Sequence, residues 1–303
     1  MTTSLEQLKV LRRALLPVLV AAVVAGVLAA TTDGADAGAK ANGLQHVTLI
    51  GDSVATALPL DNVAVQILRS GDDLDLEVAP CRRLVNPSCP PSPPNTMDLI
   101  RQRGAALGPN IVMVVGYNEY ADEWADSVET TLDAFERVGI ERIFWLTMIG
   151  HYPYLKMNDE LRAAAEKHPK LTVVDWYGHS KNHPEWFQDD GLHLGGIGAQ
   201  AMARLIRRKL VDAGVAVPPV LVKTHTLPVA RHGKPYSARL QAVSGRRPYA
   251  WSVAGRLPLG LHLRPSGVLW GVARARPGLF TLTVRAKDAI GQIDTRKLVL
   301  RLR

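Results

Sequence analysis

An uninterrupted apolar strand in the middle of the chain restricts the fold more than any other feature. Residues 110–116 read Asn-Ile-Val-Met-Val-Val-Gly, with no polar side chain between the two ends. Such a run is typical of a strand that is buried on both faces, as in a parallel sheet covered by helices. Residues 142–148 and 171–176 repeat this character, residues 46–50 form a shorter run, and residues 74–78 alternate weakly.

Stretches with helical periodicity separate these strands. They cover residues 96–107, 120–138, 158–168 and 198–213. Strands that alternate with helices predict an α/β fold with a doubly wound parallel sheet and helices on both of its faces. In such sheets the functional site lies beyond the carboxyl ends of the strands.

Charges are divided unevenly along the chain. Residues 44–215 carry 16 basic and 23 acidic side chains, whereas residues 216–303 carry 16 basic side chains and two acids. Two prolines within residues 217–220 mark this change and are typical of a stiff linker. We therefore predict a leader and tether in residues 1–43, an α/β domain in residues 44–215 and a β domain in residues 223–303.

The N-terminus has the pattern of an export signal. Lys9, Arg12 and Arg13 precede residues 14–30, which carry no charged or hydrogen-bonding side chain. Basic residues before an apolar run place the rest of the chain outside the cytoplasm. The run suits either a cleaved signal peptide or a retained transmembrane anchor. We therefore predict an extracytoplasmic protein that is secreted or anchored to the membrane.

The two cysteines, Cys81 and Cys89, enclose a short loop. Outside the cytoplasm a disulfide is the expected state of such a pair, and free thiols are the alternative. In the loop-entropy account, closing a loop of this length contributes about 2.6 kcal/mol. A zinc site would need further ligands at suitable spacing, and the sequence has no other cysteine. We therefore predict a disulfide and no metal site.

Polar residues suited to acyl-transfer chemistry follow the predicted strands. Ser53 follows the first strand, Asn118 follows the third, and Asp190 and His193 precede the last helix. A serine at a strand-to-helix turn presents its hydroxyl where backbone N–H groups favour a developing anion. A histidine can take its proton, an acid can hold the other ring nitrogen, and an asparagine amide can donate to the oxyanion. Each element alone is as easily a turn, so the prediction depends on their order along one sheet edge.

These residues lie in motifs that resemble the SGNH, or GDSL, family of serine hydrolases. The matching motifs are Gly51-Asp52-Ser53 for the first block, Gly116-Tyr117-Asn118 for the third, and Asp190 with His193 for the last. Glu119 stands where the third block usually has an aspartate. The resemblance spans about residues 44–215 and implies a flavodoxin-like hydrolase fold with Ser53 as nucleophile, His193 as proton shuttle and Asp190 as its partner. It also implies an oxyanion hole formed by the Ser53 N–H and the Asn118 side chain.

The second block of the family, a glycine whose N–H joins the oxyanion hole, has no clear match. Gly71 precedes the second strand and therefore lies at the wrong end of the sheet. The loop after that strand carries Cys81, Arg82 and Arg83, and a backbone N–H of this turn is a candidate substitute. We expect both arginine side chains to face solvent; the alternative places Arg82 or Arg83 near the substrate.

Two pairs of side chains have competing interpretations. Tyr117 and Tyr120 flank Asn118, and they either line the substrate pocket or pack as structural residues. His179 and His183 have a metal-compatible spacing if they lie on one helix. The polar residues between them and the proline that follows favour a surface loop.

From residue 223 onward, short alternating segments replace the helical periodicity. Residues 279–286 and 297–303 alternate between apolar and polar side chains, and Gly and Pro clusters punctuate the rest. This pattern predicts a β-sandwich. Residues 251–302 resemble the immunoglobulin-like modules of bacterial surface proteins. The resemblance is carried by the alternating strands and by the loop glycines Gly260, Gly267, Gly271 and Gly278.

The basic character of residues 216–303, with a net charge of +14, predicts an anionic partner. Envelope polysaccharide, a teichoic-type polymer or anionic lipid headgroups suit an exported chain. No nucleic acid is expected, since no nucleic-acid motif is present. A solvated basic face is the alternative.

The family resemblance implies an exported serine esterase. It would hydrolyse acyl esters, O-acetyl esters included, of carbohydrate or lipid at the cell envelope through an acyl-serine, and it would need no cofactor. Two alternatives stay open: an O-acyltransferase, in which another hydroxyl replaces water, and a non-catalytic envelope-binding protein on a hydrolase scaffold. The sequence assigns no oligomeric state.

Overall fold

Five parallel strands form the central sheet of the computed structural model, which describes residues 43–90 and 93–303. The strands are β1 (His46–Gly51), β2 (Asp73–Val78), β3 (Asn110–Val114), β4 (Arg142–Leu146) and β5 (Leu171–Val174). Their order is β2-β1-β3-β4-β5, which is the flavodoxin-like order, and every pairing is parallel. The predicted α/β fold and its parallel sheet are confirmed.

Helices cover both faces of this sheet. They are α1 (Ala57–Leu60), α2 (Asn62–Leu68), α3 (Thr96–Arg103), α4 (Trp124–Arg137), α5 (Tyr154–Lys167), α6 (Trp176–Ser180) and α7 (Gly196–Asp212). The four predicted helical stretches correspond to α3, α4, α5 and α7, with shifted ends. The short helix α2 was not predicted, because its seven residues give little periodicity. Asp61 caps it by accepting a hydrogen bond from the Ala64 N–H at 2.8 Å.

The sheet separates two apolar layers, which explains why its strands read as continuous apolar runs. Leu49 and Val112 face the layer that packs on α2 and α7. Ile50 and Ile111 face the layer that packs on α3, α4 and α5. All four side chains are fully buried. Burial on both faces therefore fixes the positions of the strand ends from which the loops of the carboxyl edge begin.

Beyond residue 220 the chain forms antiparallel β-structure. The strands are β6 (Leu221–Val222), β7 (Pro235–Arg239), β8 (Ala242–Val243), β9 (Ala250–Ala254), β10 (Leu261–Leu263), β11 (Val268–Val272), β12 (Gly278–Lys287) and β13 (Ile293–Leu302). Two three-stranded sheets, β10-β11-β7 and β13-β12-β9, enclose a separate apolar core that includes Trp251, Leu269 and Leu300. The predicted C-terminal β-fold is confirmed.

The proline-rich stretch near residue 217 is held by hydrogen bonds on both sides. The Val217 N–H donates to the Gly71 carbonyl at 2.8 Å, and Arg207 Nη2 donates to the Val217 carbonyl at 2.9 Å. Arg207 Nη2 also donates to Gln292 Oε1 at 2.9 Å, and Ser70 Oγ donates to the same oxygen at 3.1 Å. Residues 45–303 accordingly form one compact unit. The predicted domain boundaries stay predictions.

The predicted export segment, residues 14–30, lies outside the described residues. Within the part of the chain that the structure describes, no helix has the length and apolar composition needed to cross a bilayer. Whether the segment is a cleaved signal or a retained anchor therefore stays a prediction.

Candidate active site

Ser53 lies directly beyond the carboxyl end of the interior strand β1. The chain turns there into a 3₁₀ helix, Val54–Thr56, and Ser53 is its N-cap residue. Gly51 allows this turn, because a Cβ atom at that position would lie 2.4 Å from the Cβ of Ala55. The turn places the half-buried Ser53 hydroxyl at the edge of the sheet where the strand-end loops meet.

His193 and Asp190 reach this hydroxyl from the loop before α7. His193 Nε2 lies 3.0 Å from Ser53 Oγ, and His193 Nδ1 lies 2.6 Å from Asp190 Oδ2. The hydrogen bond from the imidazole lowers the pKa of Asp190 to about 2, and backbone N–H donors contribute further. The carboxylate therefore stays ionised at neutral pH and can hold the ring with its Nε2 towards the serine. The structure brings together all three predicted catalytic residues.

The loop that carries His193 is fixed by its own backbone. The Gln188 N–H donates to the His193 carbonyl at 2.7 Å, and the Gly195 N–H donates to the Trp186 carbonyl at 2.9 Å. Asp190 Oδ1 accepts from the backbone N–H groups of residues 192 and 193, both at 2.9 Å. One carboxylate therefore shapes the turn and orients the imidazole.

Asp52, the residue before the serine, connects two of the strand-end loops. It is fully buried, and its carboxylate accepts hydrogen bonds from the N–H groups of Val54, Gly116 and Tyr117 at 3.0 to 3.2 Å. Burial raises the pKa of Asp52 to about 6, against the lowering effect of these three donors. The sequence analysis gave Asp52 no role of its own. The available signal was its charged side chain, which lies between an apolar strand and Ser53.

The predicted oxyanion residue lies in the loop after β3, next to the loop after β2. Asn118 Nδ2 lies 3.5 Å from the Arg82 carbonyl oxygen, which is a long contact. Glu119 Oε1 accepts a hydrogen bond from the Leu84 N–H at 2.6 Å. Burial raises the pKa of Glu119 to about 7. The glutamate that replaces the usual aspartate thus ties the two loops together.

The predicted disulfide between Cys81 and Cys89 is present. Cys81 has a φ angle of 58°, in the left-handed region that favours glycine. This residue follows β2 at the carboxyl edge of the sheet, where the second block of the SGNH family would place its glycine. Cys81 thus adopts, at this edge of the sheet, a backbone conformation that glycine adopts more readily, which the sequence alone did not reveal.

The expectation that both arginines of this turn face solvent is wrong for Arg82. Its side chain is only 3% exposed, and burial lowers the pKa of its guanidinium. The Nε and Nη1 atoms are buried without a hydrogen-bond partner among the described residues. Arg83 is partly exposed, and its guanidinium carbon lies 4.4 Å from the ring centroid of Tyr120. The hydrogen bond from the Leu84 N–H to Glu119 lies two residues after Arg82 in the same loop.

The two tyrosines beside Asn118 differ in their surroundings. Tyr117 Oη accepts a hydrogen bond from the Ile149 N–H at 2.7 Å, and its ring packs edge-on against Tyr154 at 5.2 Å. Burial raises the pKa of Tyr117 above its usual range. Tyr120 is 52% exposed. Tyr117 is therefore a structural member of the site wall, while contact of either tyrosine with substrate stays a prediction.

His179 and His183, the pair with a metal-compatible spacing, lie in different surroundings. His179 lies in α6, contrary to the predicted surface loop, and His183 stacks on Trp186 with ring centroids 3.9 Å apart. His183 Nδ1 lies 2.9 Å from Glu185 Oε1. Across the described ranges, no group of histidine, cysteine and acidic side chains is arranged to hold a metal ion.

Comparisons with known proteins agree with both halves of the chain. Residues 218–301 match the family described as "Putative Ig domain". The chain is 32% identical over 102 residues to the O-acetyltransferase OatA of Staphylococcus aureus, covering 34% of this chain and 16% of that protein. It is 30% identical over 97 residues to the peptidoglycan O-acetyltransferase OatA of Listeria monocytogenes, covering 32% of this chain and 15% of that protein. The match therefore spans about a sixth of the length of these relatives.

A solved structure is also similar to part of this chain. The C-terminal catalytic domain of the peptidoglycan O-acetyltransferase OatA of Streptococcus pneumoniae is 19% identical. The alignment covers 57% of this chain and 96% of that domain, with a TM-score of 0.45. The α/β architecture of the first part and the Ig-like character of the C-terminal part, both recognised in the sequence, are confirmed.

Proposed function

We propose that the protein is a serine enzyme that acts on O-acyl esters of carbohydrate at the cell envelope through an acyl-serine intermediate. The contact of 3.0 Å between Ser53 Oγ and His193 Nε2 carries this proposal, together with the 2.6 Å contact from His193 to Asp190. In this arrangement the carboxylate is hydrogen-bonded to the imidazole, and the imidazole to the serine. Such a series activates the serine hydroxyl as a nucleophile.

In the first half-reaction, Ser53 Oγ attacks the ester carbonyl carbon while its proton passes to His193 Nε2. The carbonyl oxygen becomes an anion that the Ser53 N–H and the Asn118 amide stabilise. Collapse of the tetrahedral species breaks the bond to the alcohol oxygen, which leaves with the proton from His193. Asp190 keeps the imidazole in the required tautomer and stabilises its charged form.

The second half-reaction determines the type of enzyme. An acceptor hydroxyl gives its proton to His193 and attacks the acyl carbonyl, and Ser53 is regenerated with a proton on Oγ. With water as acceptor the reaction is hydrolysis, which is our first assignment. With a sugar hydroxyl as acceptor the reaction is O-acyl transfer. The sequence identity of 32% and 30% between this chain and the two O-acetyltransferases favours this second candidate.

A third donor to the oxyanion is proposed in the turn after β2. Cys81 has the left-handed conformation of a glycine, and the Arg82 carbonyl lies beside the Asn118 amide. The turn therefore lies beside Asn118, and one of its backbone N–H groups would donate to the oxyanion. The disulfide to Cys89 would hold the turn in that conformation.

The setting of the reaction is proposed from the sequence pattern. An export segment in residues 14–30 would place the enzyme outside the cytoplasm, secreted or anchored. The basic C-terminal segment would bind an anionic polymer of the envelope and keep the enzyme near its substrate. Such binding should weaken as salt rises, because exposed charges are screened.

Labelling with a fluorophosphonate tests the nucleophile. We expect the probe to attach to Ser53 and a Ser53→Ala variant to remain unlabelled while keeping the wild-type circular dichroism spectrum. An unlabelled wild-type protein would favour the non-catalytic scaffold instead. Hydrolysis and transfer are separated by supplying p-nitrophenyl acetate with and without a chitooligosaccharide and measuring free acetate against acetylated sugar.

A further inference from the structure

The outer face of sheet β10-β11-β7 carries an open groove that the proposed catalytic reaction does not use. Its volume is 650 Å³, and its polar and aromatic lining includes Ser237, His262, Arg264, Trp270 and Arg274. All of these residues lie in the C-terminal segment, and none belongs to the candidate active site. The groove therefore needs a separate explanation.

Trp270 is at the centre of this face because of the strand alternation. Leu269 points into the core and is 1% exposed, whereas Trp270 on the opposite side of β11 is 40% exposed. His262 of β10 and Ser237 of β7 are its cross-strand partners. An indole is a large apolar surface to leave in water, and this one lies in the middle of a sheet rather than at a loop tip.

Basic side chains surround the indole. The Arg264 guanidinium carbon lies 4.7 Å from the ring centroid of Trp270, and the His262 ring lies 5.5 Å from it. Arg264 and Arg274 are exposed, and in the described part of the chain neither forms an ion pair. Their guanidinium groups are therefore available to an external anion.

The acids of this segment lie elsewhere. Asp288 and Asp294 are the two acidic residues among residues 216–303. Asp294 lies in β13 of the other sheet, and Asp288 lies in the turn between β12 and β13. Asp288 is buried and accepts from the Ile290 and Gln292 N–H groups, and Asp294 Oδ2 accepts from the Val222 N–H at 2.7 Å. The positive groups of the groove thus have no countercharge within the segment.

We propose that this groove binds an acidic polysaccharide, with a sugar ring against Trp270 and the anionic groups paired with Arg264 and Arg274. An indole surface bordered by guanidinium groups, which bind carboxylates in a forked geometry, matches a chain of sugar rings that carry carboxylates. The inference rests on the proposed binding role of the C-terminal segment, for which it names a site and a ligand class. It does not depend on the proposed catalytic reaction.

Three polymers separate the contributions that a sugar ring and an anionic group make to binding. Binding of the full-length protein is measured by calorimetry with polygalacturonate, which has both, with neutral dextran and with polyphosphate, which has no sugar ring. We expect the tightest binding to polygalacturonate. Trp270→Ala should weaken that binding about tenfold, as for the loss of one good aromatic contact, and leave polyphosphate binding unchanged.

Matched variants on the other sheet control for general effects. Leu279 is 65% exposed on β12, and Arg285 is exposed on the same strand. We expect Leu279→Ala and Arg285→Gln to bind polygalacturonate like the wild type, and Arg274→Gln to bind it more weakly. All variants should keep the wild-type melting temperature within a few degrees. If Trp270→Ala does not, the binding test uses Trp270→Phe and the double variant Arg264→Gln, Arg274→Gln instead.

Two outcomes would overturn parts of this inference separately. Equal losses in Arg274→Gln and Arg285→Gln, with no loss in Trp270→Ala, would mean diffuse charge attraction and no site at the groove. If the wild-type protein binds neither polygalacturonate nor polyphosphate, the proposal that the C-terminal segment binds an anionic polymer is refuted as well. Neither result would affect the fluorophosphonate test of Ser53.

Discussion

Ser53 Oγ and His193 Nε2 lie 3.0 Å apart, although 140 positions of the sequence separate the two residues. Ser53 belongs to the turn after β1, and His193 belongs to the loop before α7. Both loops end at the carboxyl edge of the parallel sheet, so the fold brings the hydroxyl and the imidazole together without any special insertion. Asp190 extends the line of contacts on the other side of the imidazole at 2.6 Å.

Replacement of Asp190 tests the orientation of the imidazole. In Asp190→Asn the amide can present its NH₂ to His193 Nδ1 and favour the wrong tautomer. We expect kcat for p-nitrophenyl acetate to fall about 10²- to 10⁴-fold with little change in KM. The neighbouring Asp189 is exposed, so Asp189→Asn is the matched control and should keep wild-type kinetics. Equal activity of Asp190→Asn and the wild type would remove Asp190 from the mechanism.

Removal of the Asn118 amide tests the oxyanion hole. Asn118→Ala should lower kcat about 10²- to 10³-fold, the usual effect of losing one oxyanion donor. The melting temperature should stay close to that of the wild type, because among the described residues the amide makes one long hydrogen-bond contact of 3.5 Å. The exposed Asn182, substituted by Ala, serves as control. A large fall in melting temperature with unchanged kcat would indicate a structural role instead.

The left-handed conformation of Cys81 allows a test of the turn after β2. We compare Cys81→Gly with Cys81→Ala, each combined with Cys89→Ala so that both lack the disulfide. Glycine adopts a φ of 58° freely, whereas alanine there costs about 1 kcal/mol. The glycine pair should be more stable by that amount in urea denaturation and should keep a higher kcat. Identical kcat values would show that this turn does not contribute to the oxyanion hole.

The buried carboxyl of Asp72 makes stability depend on pH. Both of its oxygens are buried without a hydrogen-bond partner in the described ranges, and burial raises its pKa from 3.8 to about 7. Between about pH 4 and pH 7 the folded protein therefore holds a proton that the unfolded chain releases. The free energy of unfolding should fall across this window as pH rises, by about 2 to 4 kcal/mol from this group.

Asp72→Asn removes this titratable group. The free energy of unfolding should then lose the part of its pH dependence that Asp72 contributes. Urea denaturation at about pH 4, 6 and 8 measures it, with the exposed Asp133→Asn as control. An unchanged slope in Asp72→Asn would mean that another group is responsible for the pH dependence.

Much of the sheet was predictable because its strands are buried on both faces. The run that ends in Val114 has an apolar side chain at almost every position, and such runs are hard to mistake. The short helix α2 lacked a comparable signal. It is stabilised by the Asp61 cap and by packing on α7. Neither contribution produces a helical pattern of apolar residues in the sequence.

The inward position of Arg82 was beyond sequence reasoning. A charged residue beside a cysteine and a second arginine is usually exposed. Its side chain is buried in a loop that has a left-handed residue at Cys81 and a hydrogen bond from Leu84 to Glu119, which is 35 positions away. Contacts between loops that are distant in sequence leave no local pattern.

The sequence by itself determined the fold class, the disulfide and the identity of the serine, histidine and aspartate that meet in the candidate site. These features depend on local periodicity, on cysteine pairing in a short loop and on residue types at the ends of strands. Only the tertiary structure decided how Asp52 joins two loops, how Arg82 is buried and how Trp270 lies exposed among basic side chains. Each of these depends on which loops and strands become neighbours, because burial and electrostatic environment belong to the packed chain and not to any segment of it.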